Sequence, residues 1–173
     1  MSVRMGTLGV EKTTTDRGDT AMTTVLPDFA EAGDPGLWSF TDRYGSVTSV
    51  RGHFLGMGSS HRPSHQHRFP PYAEPGKPCS ACRWTEVRIF QESGDPGRYL
   101  VVRTGRSAVP EEETRTSFGY LDTASEVVRS LISWSEEGAA SLAYGPRQAL
   151  VQSSAYDDGL SEAYEAALAG VLR

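Results

Sequence analysis

Two histidines and two cysteines lie close together in the middle of the sequence, in the run HQHRFPPYAEPGKPCSAC. His65 and His67 are separated by one residue, and Cys79 and Cys82 form a CxxC pair that can present both sulfur atoms to one ion. Two imidazoles and two thiolates are a common tetrahedral ligand set for zinc. The spacing therefore predicts a structural zinc site formed by these four residues, with His61 as an alternative metal ligand.

The two cysteines also allow other interpretations. They could be small apolar residues that pack near the start of a strand, or a redox pair. A thioredoxin-type CxxC opens a helix, whereas the residues from Arg83 onward have the pattern of a strand. The text PCSAC resembles the PCxxC half of cytidine and nucleic-acid deaminases, but the glutamate that would transfer a proton is absent beside His65, where Gln66 and His67 stand. No catalytic residue is predicted.

The sequence on both sides of this His/Cys segment predicts β-strands. The text LWSFTDRYGSVTSVRGHFL over residues 37–55 predicts one or two short strands, interrupted by Gly45 and Gly52. Residues 84–91 (WTEVRIFQ) and 99–104 (YLVVRT) predict a hairpin around ESGDPG, and residues 114–120 predict a third strand. The glycines and prolines over residues 56–78 argue against long regular elements, so we expect a proline-rich loop that the metal fixes in place.

The C-terminal third of the chain has a helical pattern. Thr123 and Glu126 have the spacing of a capping box, and Gly138 is a plausible end for the helix that begins there. A second helix is predicted from Pro146 to about residue 155, and a third over the apolar positions between Leu160 and Leu172. The predicted fold class is α+β, with a small antiparallel sheet of three or more strands, preceded by the zinc-pinned loop and followed by two or three helices on one face.

The charges are unevenly distributed, although the net charge is only -5. Residues 43–110 carry 10 basic and 4 acidic side chains, whereas both flanking parts are acidic. This layout predicts a contact surface at Arg51, Arg62 and Arg68 that attracts an acidic protein or phosphate groups. A nucleic-acid binder that uses the basic 43–110 region is one alternative, and a solvated basic face is another.

The length of 173 residues suits a single domain. Residues 1–35 are rich in Thr, Gly and Asp without helix or strand periodicity, so they are predicted to be a disordered leader, and residues 36–173 a single α+β domain with the His/Cys zinc loop at 61–82. The sequence shows neither a secretory signal nor an apolar run long enough for a bilayer, which favours a cytoplasmic location.

Roughly residues 50–165 resemble small uncharacterised proteins encoded by actinobacterial phages. The resemblance rests on the His/Cys loop and on the texts CRWTEVRIF, VRTGRSAVP and ALVQSSAYDDGLSEAY. It implies a phage setting and the host cytoplasm, but no mechanism. The predicted function is therefore a non-enzymatic, zinc-stabilised binding or regulatory protein acting on a host or phage macromolecule, most simply a protein. A zinc-dependent enzyme acting on nucleic acid or a nucleotide, deaminase-like or hydrolytic, is the alternative.

Overall fold

A computed structural model describes residues 31–61, 83–94, 97–109, 111–134 and 140–171. An antiparallel meander of five strands precedes three helices, which confirms the α+β class. The described part of the predicted leader is its last five residues, which form a turn and the first residue of β1. The sheet contains β1 (Pro35–Thr41), β2 (Val47–Ser59), β3 (Arg83–Glu92), β4 (Tyr99–Ser107) and β5 (Arg115–Leu121). The remaining elements are α1 (Ala124–Leu131), β6 (Ser133–Trp134), β7 (Ala140–Ser141), α2 (Tyr144–Ser153) and α3 (Asp158–Val171).

The sheet curls, so that side chains from strands at its two ends meet on its inner face. Side chains alternate between the two faces of a strand, and the inner face of β3 carries Phe90. The Phe90 ring centroid lies 5.5 Å from that of Trp38 and 5.1 Å from that of Phe40, both on β1. Phe118 and Tyr120 of β5 pack against the same cluster, although β5 is at the other end of the strand order. An aromatic core therefore fills the inside of the curled sheet.

The outer face of the sheet carries the helices. Val87, Ile89 and Val101 are buried there against residues of all three helices. A second hydrophobic core thus lies between the sheet and the helical layer. The helical pattern of the C-terminal third predicted such a layer on one face of the sheet. Its helical members are Val127, Val128, Leu131, Ala149, Leu150, Leu160 and Tyr164.

A β-bulge in β2 decides which residues of its second half face the helices. The register with β3 shifts between Phe54 and Gly56, so Leu55 and Gly56 both lie on the outer side. Beyond the bulge Gly58 pairs with Val87 and also faces outward. A Cβ atom on Gly58 would lie 1.8 Å from the carbonyl oxygen of Gly145 in α2. The bulge therefore allows the α2 backbone to lie directly on that of β2.

Strand β1 is shorter than β2, and α2 completes the hydrogen bonding where β1 is missing. The strand pairing of β1 with β2 ends at Pro35 opposite His53. Beyond this point Met57 N–H donates to Gln152 Oε1 at 2.8 Å, and Ser59 N–H donates to Gln148 Oε1 at 3.4 Å. The two glutamines are four residues apart on one helix face, and the two amides are two residues apart on the strand. Side chains of α2 thus satisfy backbone donors that a strand would otherwise pair.

Asp157 attaches α3 to the sheet. Its side chain accepts hydrogen bonds from Leu160 N–H at 2.7 Å, Gln91 Nε2 at 2.7 Å and the Tyr99 hydroxyl at 3.0–3.1 Å. Burial and the Asp157 carboxylate raise the pKa of Tyr99 to about 12. One carboxylate therefore caps the helix and joins it to β3 and β4.

The predicted capping box of α1 is confirmed, because the Thr123 side chain accepts from Glu126 N–H and the Glu126 side chain accepts from Thr123 N–H. Two predicted helix boundaries were wrong. The first helix ends at Leu131 rather than Gly138, because Ile132 is extended and β6 then pairs with β7. The second begins at Tyr144, two residues before Pro146, because proline is tolerated throughout a first turn whose N–H groups have no helical acceptor. No helix among the described residues has the length and apolar character needed to cross a bilayer.

Candidate binding surface at the base of the 61–82 loop

The predicted metal loop leaves and re-enters the sheet at a single place, the end of β2 and the start of β3. Ser60 N–H donates to the carbonyl oxygen of Thr85 at 2.9 Å, and Thr85 N–H donates to Ser60 Oγ at 2.8 Å. These bonds hold the two ends of the connection together. The predicted ligands and two of the predicted contact residues lie outside the described residues: His65, His67, Cys79, Cys82, Arg62 and Arg68.

His61, the alternative metal ligand, is the one predicted ligand that the structure describes. Its imidazole packs against the Trp84 indole with ring centroids 4.9 Å apart, and its backbone N–H donates to Ser59 Oγ at 3.1 Å. In the described part of the chain, no three His, Cys, Asp or Glu side chains are grouped closely enough to hold a metal ion. The described role of His61 is therefore an aromatic contact at the base of the loop.

A buried ion cluster lies on the inner face of the sheet beside this ring pair. Glu86 Oε2 accepts from Arg106 Nε at 2.8 Å and from Arg88 Nη2 at 3.0 Å, while Glu86 Oε1 accepts from Trp84 Nε1 at 3.2 Å. The Arg88 side chain is only 5% exposed and that of Glu86 14%. Burial by itself would raise the pKa of Glu86, but the hydrogen bonds from Arg106 and Trp84 and the two guanidinium charges hold it below its usual value. The cluster is therefore charged at neutral pH.

A second, more exposed ion pair borders the first. Arg83 Nε contacts the Glu112 carboxylate at 2.8 and 2.9 Å, and the Ser107 hydroxyl donates to the same carboxylate. The hydrogen bonds from Arg83 and Ser107, together with the charge of Arg115, lower the pKa of Glu112. The Arg83 side chain is 64% exposed, so this pair lies in solvent where the Glu86 cluster does not.

A shallow cavity of about 300 Å³ lies beside these ion pairs, lined by the basic residues Arg83, Arg106 and Arg115 and by the acidic residues Glu112 and Glu113. We call the three arginine residues the arginine surface. Arg115 also lines a neighbouring cavity of about 360 Å³ together with Arg43 and Tyr44 of the β1–β2 turn. Guanidinium groups bind carboxylates and phosphates through paired N–H donors, and Glu86 and Glu112 keep two of them oriented. With three guanidinium groups and two carboxylates, the lining of the cavity carries a net positive charge, which favours anions.

Arg51, the described member of the predicted contact surface, lies elsewhere. It pairs with Leu37 of β1, and its carbonyl oxygen accepts from Ser93 N–H just beyond the end of β3, whereas Arg83 is the first residue of β3. The structure therefore does not place Arg51 with the arginine surface.

The sequence analysis missed the residues that form the ion cluster, because it used WTEVRIFQ only as a strand signal. Trp84, Glu86 and Arg88 occupy alternate positions in that text, so they share one face of the strand. A run of polar side chains on one face, opposite the apolar Val87 and Ile89, was the available signal. The contributions of Arg106 and Arg115 depend on the pairing of β3, β4 and β5, which the spacing of the strands alone does not reveal.

Comparison of this chain with protein-family models, with curated proteins and with solved structures finds no significant match.

Proposed function

We propose that this protein is a non-enzymatic, zinc-stabilised binding protein that uses the arginine surface to hold an acidic surface of a partner protein. The observation that carries the proposal is the preorganisation of Arg83 and Arg106, whose guanidinium groups are fixed by Glu112 and Glu86 beside Arg115. Fixed side chains lose little conformational freedom when a partner binds, so more of the interaction energy contributes to affinity. The resemblance to phage proteins makes a host or phage protein in the host cytoplasm the expected partner.

Zinc is proposed as a structural cofactor of the loop beside this surface. His65, His67, Cys79 and Cys82 all belong to the one connection whose ends are joined by the Ser60–Thr85 hydrogen bonds. Closing the base of a loop shortens the chain that a metal must order and reduces the entropic cost of bringing distant ligands together. The donor set also matches structural zinc. Arg62 and Arg68 belong to the same connection in the sequence.

The second candidate function is binding of single-stranded nucleic acid. It is favoured by the His61–Trp84 ring pair beside Arg83, because bases stack on aromatic rings and phosphates pair with arginine. The two functions differ in the anion that is bound, a carboxylate or a phosphate, and in whether a base stacks on the aromatic rings. A binding experiment with one acidic peptide and one oligonucleotide therefore separates them.

We expect the full chain to bind a fluorescein-labelled oligoglutamate peptide, and Arg115→Glu to weaken this binding about fivefold, which corresponds to about 1 kcal/mol. The reason is that Arg115 is exposed and lines both cavities of the surface. Fluorescence anisotropy at low salt measures the affinity. Because exposed charges are screened, the affinity is also expected to fall as the salt concentration rises.

Arg51→Glu is the matched control, since it makes the same charge change at an exposed position beside the end of β3, whereas Arg83 is at the start of that strand. It is expected to leave the peptide affinity nearly unchanged. Equal weakening by both substitutions, or no binding of the peptide, would overturn the proposed surface. Tighter binding of an oligothymidine than of the peptide, with loss of that preference in Trp84→Ala, would establish the second candidate instead.

A further inference from the structure

An apolar groove lies between the second half of β2 and α2, and none of the three residues of the arginine surface lines it. Three of its residues are large and exposed: Met57 at 39%, Tyr144 at 47% and Val151 at 55%. With Arg147 they border a cavity of about 530 Å³ whose lining is mainly apolar. Exposed apolar side chains are ordinary when scattered, but a group of them around one cavity marks a binding site.

The groove lies where β1 would run if it were longer. Gln148 and Gln152 already occupy the backbone donors of β2 at this edge, so an occupant cannot be held as an additional strand through those amides. It must bind through its side chains. Arg147 is the one charged residue of α2, which makes an acidic residue flanked by apolar ones the complementary sequence.

The described chain begins at one end of this groove. Gly33 N–H donates to the carbonyl oxygen of Phe54 at 2.6 Å, and Gly33 packs against the Tyr156 ring just beyond the end of α2. Residues 25–30, VLPDFA, immediately precede Glu31 and combine three large or medium apolar side chains with Asp28. An extended segment of this length spans about 20 Å, and the distance along α2 from Gln152 to Tyr144 is about 12 Å.

We propose that residues 25–30 of this chain dock into the groove, with Leu26 and Phe29 against Met57, Tyr144 and Val151. Asp28 then lies close to Arg147. Because the segment is tethered a few residues from the site, its effective concentration is in the millimolar range, and weak side-chain contacts suffice to keep it bound. A partner that carries a similar sequence would have to compete with it.

The test uses the full chain labelled with ¹³C at the methionine methyl groups. Met57 is the reporter inside the groove, and its NMR signal is assigned with Met57→Leu. We expect Leu26→Ser/Phe29→Ser to move the Met57 signal, because the flanking rings and methyl groups leave. The matched control Val3→Ser/Val10→Ser removes apolar residues further from Glu31 and is expected to leave the signal in place.

A charge exchange tests the proposed pairing independently. Asp28→Arg or Arg147→Asp alone is expected to lower the ratio of docked to undocked chains about fivefold, and the combination to restore it. An unchanged Met57 signal in Leu26→Ser/Phe29→Ser, or an equal change in the control, would overturn the proposal. A Met57 signal that moves on tenfold dilution would also overturn it, because it would show that a second copy fills the groove.

Discussion

The Gly58→Ala variant is expected to lose at least about 3 kcal/mol of unfolding free energy in urea denaturation. The added Cβ would lie 1.8 Å from Gly145 O and 2.6 Å from Ala149 N. Both are backbone atoms of α2, so no side chain can rotate to make room. The helix would have to move away from β2, which would also break the bonds that Gln148 and Gln152 accept from the strand.

Gly119→Ala is the matched control for this prediction. Gly119 also lies in a strand, but a Cβ there would meet nothing within 4 Å. Replacing a strand glycine removes backbone freedom from the unfolded chain, so we expect the control to be neutral or stabilising by up to about 1 kcal/mol. A loss of equal size in the two variants would mean that the close approach of α2 to β2 does not determine the stability.

The second large effect is expected for Glu86→Ala, which should lower the unfolding free energy by about 2–3 kcal/mol at neutral pH. The substitution removes the carboxylate that contacts Arg88 and Arg106 and leaves the buried Arg88 charge without this partner. Removing one member of a buried pair is costly because the remaining charge is still desolvated. Urea denaturation of the variant and the parent at the same pH measures the difference.

The pH dependence of the stability difference provides a check on this prediction. Because the folded state lowers the pKa of Glu86, its contribution is present above the unfolded pKa and is lost as the pH falls through the folded value. The stability difference between parent and variant should therefore shrink below about pH 4. Glu112→Ala is the control, since its bond with Arg83 is equally short but exposed, and a far smaller loss is expected.

Local sequence signals predicted much of the fold. The capping box at Thr123 and Glu126 satisfies backbone donors within one turn, so its spacing is sufficient to locate it. The strand at residues 84–91 was predicted within one residue at each end, because β-branched and aromatic residues there alternate with polar ones. Glycines and prolines bounded the hairpins. These signals depend only on residues close in the chain.

Contacts between distant parts of the chain could not be predicted in this way. The register shift near Phe54 changes which glycines face α2, and it depends on the pairing with Ile89. Curling of the sheet brings Trp38 and Phe118 into one cluster, although almost 80 residues separate them. The helix boundary at Leu131 is set by the pairing of two short strands that have no distinctive composition.

The candidate site was likewise predicted only as far as local sequence signals allow. Charge counting located a basic centre, but it grouped Arg51 with residues of the loop because they are close in the chain. Strand pairing places Arg51 beside the end of β3 and gathers Arg83, Arg106 and Arg115 from three strands near its start. Composition alone cannot assign an arginine to a position in a sheet whose register is unknown. The zinc ligands stay a sequence prediction, because they lie outside the described residues.

The most direct test of the account is the zinc content of the purified full chain, measured by inductively coupled plasma mass spectrometry after removal of loosely bound metal. We expect about one zinc per chain, lost in Cys79→Ser/Cys82→Ser and retained in the control Ser80→Ala. Less than about half an equivalent in the parent chain, or zinc that persists in the double cysteine variant, would contradict a zinc-stabilised loop beside the arginine surface.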